Sequence, residues 1–223
     1  IRAGSFINTI SLVPLEHMVF RYGTKATPWI ASGTAAPGHV SLLVDLNYKV
    51  FPTINGIRQE SGPLVQLYGG GSEHCSMANE SGEYALMPIP NLVLENALRG
   101  LGIERLPVGA GEFTALQPEN ETFRMLLDTI ESLRTGAETS PEMFLSGEVR
   151  RTAEREFLTR LALVIGASET THALDHRAER MKVFGKARVF RNIDIYGPDR
   201  NRVGEIDVLA IYGRRAILVQ AKS

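Results

Sequence analysis

Cysteine occurs once in the 223 residues, at Cys75, which excludes an internal disulfide framework and a four-cysteine zinc site and makes a reducing, cytoplasmic setting the default. No apolar run comes near the roughly 20 residues of a membrane-spanning helix; stretches such as Leu161 to Gly166 are soon broken by polar residues. Neither sign of charge is in excess, with 24 Lys+Arg against 25 Asp+Glu and a formal net charge of −1. The 43% hydrophobic and 22% charged content excludes disorder and collagen-like structure and leaves an ordinary globular chain. The chain opens on Ile1 without a methionine and stops at Ser223 just after an apolar run, so a piece of a longer polypeptide is expected.

The balanced total hides a division. Residues 1–147 hold 9 Lys+Arg against 15 Asp+Glu, a net −6, whereas residues 148–223 hold 15 against 10, a net +5. An anionic partner would therefore meet the C-terminal third, unless the arginines there are simply solvated.

In the first region the turn signals lie close together, and the runs between them are short and β-rich: Ser5 to Val13, Met18 to Tyr22, Val40 to Ile54 and Leu64 to Tyr68. This predicts a small antiparallel sheet, with Asn55-Gly56 as a hairpin turn and Gly69 to Ser76 as a loop. From Asn91 the period becomes helical. Leu92, Leu94, Ala97, Leu98 and Leu101 form one apolar face, and Phe123, Leu126, Leu127, Ile130 and Leu133 form a second. A third helix should start near Ser146, with Ala153, Phe157, Leu158, Leu161 and Ala162 inward and Arg150, Arg151, Arg155 and Arg160 outward.

The last fifty residues read as helix, strand, strand, strand. The helix runs from Thr170 or Thr171 to Phe184, and the strands are 189–195, 204–211 and 216–222, the last two joined by a tight turn at Tyr212 to Arg215. Asp207 and Lys222 are charges set in segments otherwise built for burial, a costly choice unless they meet each other or an ion. Hairpin pairing can place Asp207 beside Gln220 and Lys222. A carboxylate, an amide oxygen and an ammonium on one face suit a hard divalent cation, which would polarise a phosphate and activate a water while the lysine orients it.

Gly204-Glu205-Ile206-Asp207 followed by Gln220-Ala221-Lys222 resembles the signature of the PD-(D/E)xK nuclease superfamily, the restriction-endonuclease-like fold. The Gly-Glu-Ile-Asp form with Arg191-Asn192 before it is similar to resolvase-like members and nuclease-related domains, and Gln220 ahead of the lysine is similar to Mrr-type enzymes. The resemblance covers roughly residues 172–223. Added to the strand and helix patterns above, it gives an expected α+β N-terminal region (1–145), a connecting helix (146–170) and a partial α/β restriction-endonuclease-like core (171–223). It further implies a Mg2+- or Mn2+-dependent endonuclease acting on DNA, with Asp207 and Gln220 as metal ligands, Lys222 at the transition state and Asp175, or Glu179 a turn later, on the core helix. Arg177, Arg180, Arg188, Arg191, Arg200 and Arg202 would contact phosphates. Partners would be DNA and either further domains or a second copy, with no membrane.

The competing reading is an inactive nuclease-like module that binds nucleic acid or protein behind an N-terminal sensor or interaction domain. It is favoured by glutamine standing where the family has an acid, since an amide holds a cation more weakly than a carboxylate. Other motifs carry less. In Glu73-His74-Cys75 the histidine and cysteine are adjacent in sequence, a spacing that rarely gives the geometry of a thiol–base pair, Gly69-Gly70-Gly71 lacks the lysine and hydroxyl of a phosphate loop, and His172 and His176 have no third ligand nearby.

Overall fold

The computed structural model describes residues 8–25, 29–46, 53–54, 57–58, 63–78, 81–173, 188–196, 202–212 and 215–222. The chain divides into two compact units, 1–174 and 175–223.

The larger sheet of the first unit has seven strands, each antiparallel to its neighbours. Their order across the sheet is β1 (Asn8–Pro14), β2 (Val19–Lys25), β9 (Gly82–Pro90), β4 (His39–Asp45), β7 (Val65–Gly69), β10 (Phe113–Gln117) and β11 (Glu169–Ala173). A second, smaller antiparallel sheet runs β3 (Trp29–Thr34), β8 (Glu73–Ala78), β5 (Thr53–Ile54) and β6 (Ile57–Arg58).

Alternation along the central strands sorts side chains to two faces. Val40, Leu42 and Val44 of β4, Val65 and Leu67 of β7, and Ala85, Met87 and Ile89 of β9 belong to a core shared with three helices, α1 (Asn91–Arg99), α2 (Asn120–Thr139) and α3 (Gly147–Ala167). The helices contribute Leu94 and Leu98, then Phe123, Leu126 and Ile130, then Phe157, Leu161 and Val164. Leu42, Leu94, Leu98, Leu126 and Leu161 have no exposed surface, and each such side chain contributes about 1.5–3 kcal/mol of burial. Leu43, Tyr68, Phe113 and Ala115 point to the other face, where they pack with Ile54 of the second sheet.

Several expectations need correcting. The first unit is largely antiparallel sheet, because β3, β8, β9 and β10 add strands that the sequence pattern conceals. Residues 73–76, read as loop, open β8; the triple glycine instead ends β7 at Gly69 and turns at Gly70 and Gly71. A Cβ on Gly69 would lie 1.8 Å from the Gly109 carbonyl oxygen, so glycine there permits two backbones to approach rather than marking freedom. β9 carries Pro88 and Pro90, ordinary strand breakers, but its pairing with β2 ends at Leu86, so neither proline interrupts that ladder. Leu92 and Leu101, assigned to the inner face of α1, are 65% and 46% exposed.

α3 starts where expected, with the Ser146 hydroxyl accepting from the Val149 N–H at 3.5 Å. It belongs to the core of the first unit rather than to a connection. The helix expected from residue 170 is replaced at its start by β11, where β-branched Thr170 and Thr171 lie in the edge strand beside β10; its remainder, 174–184, lies outside the described residues.

Residues 175–223 contain β12 (Arg188–Tyr196), β13 (Arg202–Tyr212) and β14 (Arg215–Lys222), paired antiparallel in that order. The last two strands do form a hairpin.

Candidate functional site

β4, β7 and β10 are central to the larger sheet, and their second face carries polar groups where an apolar layer would be cheapest. Gln66, 1% exposed, sits opposite Leu43 on one side and Ala115 on the other. Its amide is satisfied at both ends: the Tyr68 hydroxyl donates to Oε1 at 2.7 Å, and Nε2 donates to Asp45 Oδ2 at 3.1 Å. A buried amide left unpaired would cost several kcal/mol, so the three residues act as one unit.

The second sheet faces this relay. The centre of the Tyr68 ring is 5.0 Å from that of the His74 imidazole and 4.8 Å from that of the Phe113 ring. Opposite His74 in the register is Gly33, where a Cβ would come within 2.8 Å of the imidazole Cε1; the missing side chain makes room for the ring. Cys75, half-buried and not in a disulfide, follows directly. Burial pushes the Tyr68 phenol far above its ordinary range, with the Asp45 carboxylate and the Cys75 thiol adding to the effect. Tyr68 is therefore a fixed donor and not a proton-transfer group, and the Gln66 amide it holds donates in turn to half-buried Asp45.

None of these is a residue expected of the nuclease site. Asp175, Glu179, Arg177, Arg180, Arg200 and His176 fall outside the described residues. Arg188, Arg191 and Arg202 lie on β12 and β13, at register positions opposite Ile211, Val208 and Tyr196. Lys222 pairs with Glu205 and Gln220 with Val208, and Asp207 is the extra residue of a bulge between the Ile206–Ala221 and Val208–Gln220 pairs. Asp194, Glu205 and Lys222 thus occupy one row across the three strands, and Arg191, Val208 and Gln220 another. His172 lies in β11, so the helical spacing that paired it with His176 does not apply. Among the described residues no group of three or more His, Cys, Asp or Glu side chains could hold a metal ion, and no helix is long and apolar enough to cross a membrane.

Gln66 and Tyr68 share one face of β7, and Asp45 joins them only when β4 pairs with that strand, so the relay is complete only through register. A polar residue between apolar ones, as in Val65-Gln66-Leu67, was the available signal.

No protein-family model matches the chain, and no curated protein matches it. Among solved structures it is similar to the crystal structure of the AraC-like transcriptional activator CuxR, with a TM-score of 0.50 and 12% identity over 80% of this chain and 64% of that one. The chain thus spans less than two thirds of that protein's length. It is also similar to the Schizosaccharomyces pombe Cnp3 cupin domain, at a TM-score of 0.31 and 11% identity over 47% of this chain and 80% of that domain. The fold is the one shared with the activator, two antiparallel sheets with helices packed on the larger of them. This overturns the assignment to the PD-(D/E)xK superfamily, its α+β-plus-nuclease-core architecture and the description as a restriction-endonuclease-like nuclease. Short charged motifs on two paired strands misled because any antiparallel hairpin with polar ends reproduces their spacing.

Proposed function

We propose that residues 1–174 form a domain that senses a small polar ligand and that residues 175–223 contact nucleic acid, DNA in the first instance, so that the protein is a binding regulator. The observation that carries this is how charge divides between the two units. Residues 175–223 hold 11 Lys+Arg against 6 Asp+Glu, a net +5, and residues 1–174 hold 13 against 19, a net −6. A basic segment attracts a phosphate backbone through counterion release, and an acidic partner unit restricts that attraction to one part of the chain.

Two further observations support the reading. The Tyr68–Gln66–Asp45 relay gives the first unit a pre-oriented polar group between its sheets, the kind of feature that fixes a ligand's orientation. The fold likeness is to a protein described as a transcriptional activator. A second copy of the chain would place two basic segments on one duplex.

The test is a titration of the full chain with a labelled DNA duplex at several salt concentrations, with and without magnesium. Binding that weakens steeply as salt rises, with the duplex left intact in magnesium, supports the proposal. Absent or salt-insensitive binding overturns the nucleic-acid role, and magnesium-dependent cleavage overturns the binding-only role.

A further inference from the structure

Glu154 is a carboxylate in the inward face of α3, 5% exposed, in a row continued by Phe157, Leu158 and Leu161. Burying an ionised carboxylate costs several kcal/mol unless partners compensate it. Among the described residues its hydrogen bonds go to one, His17, in the turn between β1 and β2. Oε2 accepts the His17 backbone N–H at 2.7 Å, and Oε1 lies 2.7 Å from His17 Nδ1. The turn is otherwise closed by the Leu15 N–H donating to the Met18 carbonyl at 2.9 Å and seated by Leu15 and Met18, both buried. The imidazole itself is 58% exposed, so protons exchange freely with solvent.

We propose that His17 and Glu154 form a proton-operated latch that holds the β1–β2 hairpin against α3 and releases it as His17 loses its proton. With His17 protonated, the buried carboxylate has a counter-charge and two donors. With His17 neutral, the counter-charge is gone. Of the charged groups nearest the latch, Glu16 and Arg151 lie 3.7 Å apart and pair with each other, so Arg151 is already engaged and Glu16 adds negative charge, while Arg150, one turn before Glu154 on α3, is a standing positive charge that forms no ion pair with it among the described residues.

The contact with Glu154 raises the His17 pKa above its ordinary value of 6.5, the hydrogen bond being the largest cause and burial opposing it. The latch is then closed below the ordinary histidine value and opens as pH rises through the elevated one. By linkage, hairpin protection changes by at most roughly tenfold for each pKa unit of that elevation.

The experiment is a pH series on the full chain, following the His17 ring by NMR and the amide exchange of residues 15–18 corrected for intrinsic rates. The expected result is a His17 midpoint above 6.5 and a loss of corrected protection through that midpoint, absent in His17→Gln, which keeps the backbone N–H. Glu154→Gln should bring the His17 midpoint back toward 6.5; if that variant does not fold, the wild type and His17→Gln suffice. A His17 midpoint at or below 6.5, or protection that is flat with pH in the wild type, overturns the proposal.

Discussion

The Tyr68 hydroxyl donates to Gln66 Oε1 at 2.7 Å, with both residues 1% exposed, so each is the other's means of being buried. Tyr68→Phe strands an amide oxygen and Gln66→Leu strands a hydroxyl, and each should destabilise the protein by about 1–3 kcal/mol. The double variant removes both partners and should cost less than the two singles added together. Chemical denaturation of the four proteins measures this coupling, and strict additivity would count against the relay.

Gly69 and Gly71 stand two residues apart but should respond differently to alanine. At Gly69 the added methyl meets the Gly109 carbonyl oxygen, a backbone atom that cannot step aside, so a loss above about 3 kcal/mol or failure to fold is expected, as for severe overpacking. At Gly71 there is open space but φ is +83°, and the left-handed conformation alone should cost about 1–2 kcal/mol. Melting temperatures of the two variants give the comparison.

Tyr22 offers a spectroscopic reading of the sheet–helix contact. Its phenol is pushed up to about 12, chiefly by burial and then by its hydrogen bond to Glu83, against the opposing pull of Arg134, whose guanidinium lies 5.1 Å from the ring centre. Because the folded value is raised, the stabilisation is complete below the unfolded value of about 10 and is lost as pH climbs through about 12. Ultraviolet titration should show a late-ionising tyrosine near that pH which moves higher still in Arg134→Gln. An unchanged midpoint in the variant would mean that Arg134 exerts no pull on the phenol.

If α3 belongs to the core of the first unit, Leu161→Ala should cost about 2–5 kcal/mol, since Leu161 has no exposed surface. A helix that merely linked two parts would tolerate the change within about 0.5 kcal/mol. Denaturant midpoints of the full chain decide between them.

For the basic unit, replacing Arg188, Arg191 and Arg202 by alanine should weaken duplex binding and flatten its salt dependence by about 0.9 for each phosphate no longer neutralised. An unaltered slope would assign phosphate binding to other residues.

What the sequence made legible was periodic. The faces of α2 and α3, the Ser146 cap, the strand 40–44 and the C-terminal hairpin all announce themselves through local spacing. What stayed hidden depends on partners distant in the chain. Gly82 to Pro90 looks like a proline-broken linker until β2 and β4 flank it. Glu154 looks like one more solvent charge on an arginine-rich helix until His17 arrives opposite. Thr170 and Thr171 fit a helix start equally well until β10 offers them an edge. The relay was least legible of all, since Gln66 and Tyr68 carry no motif on β7 and Asp45 joins them only once β4 pairs with that strand.

The strand order has a consequence for how the molecule comes to be. Strand β9 inserts between β2 and β4, with Leu86 opposite both Arg21 and Leu43, and the far edge is made by β11 against β10. A ribosome releasing this chain therefore presents β2 and β4 well before the strand that separates them, and their unsatisfied edges must wait. Such non-local pairing places folding in the millisecond-to-second range rather than the microsecond range of helical bundles. During that interval the nascent sheet is exposed to misjoining with neighbouring chains, so soluble yield on synthesis should be limited by chaperone capacity and improve at lower temperature or slower translation.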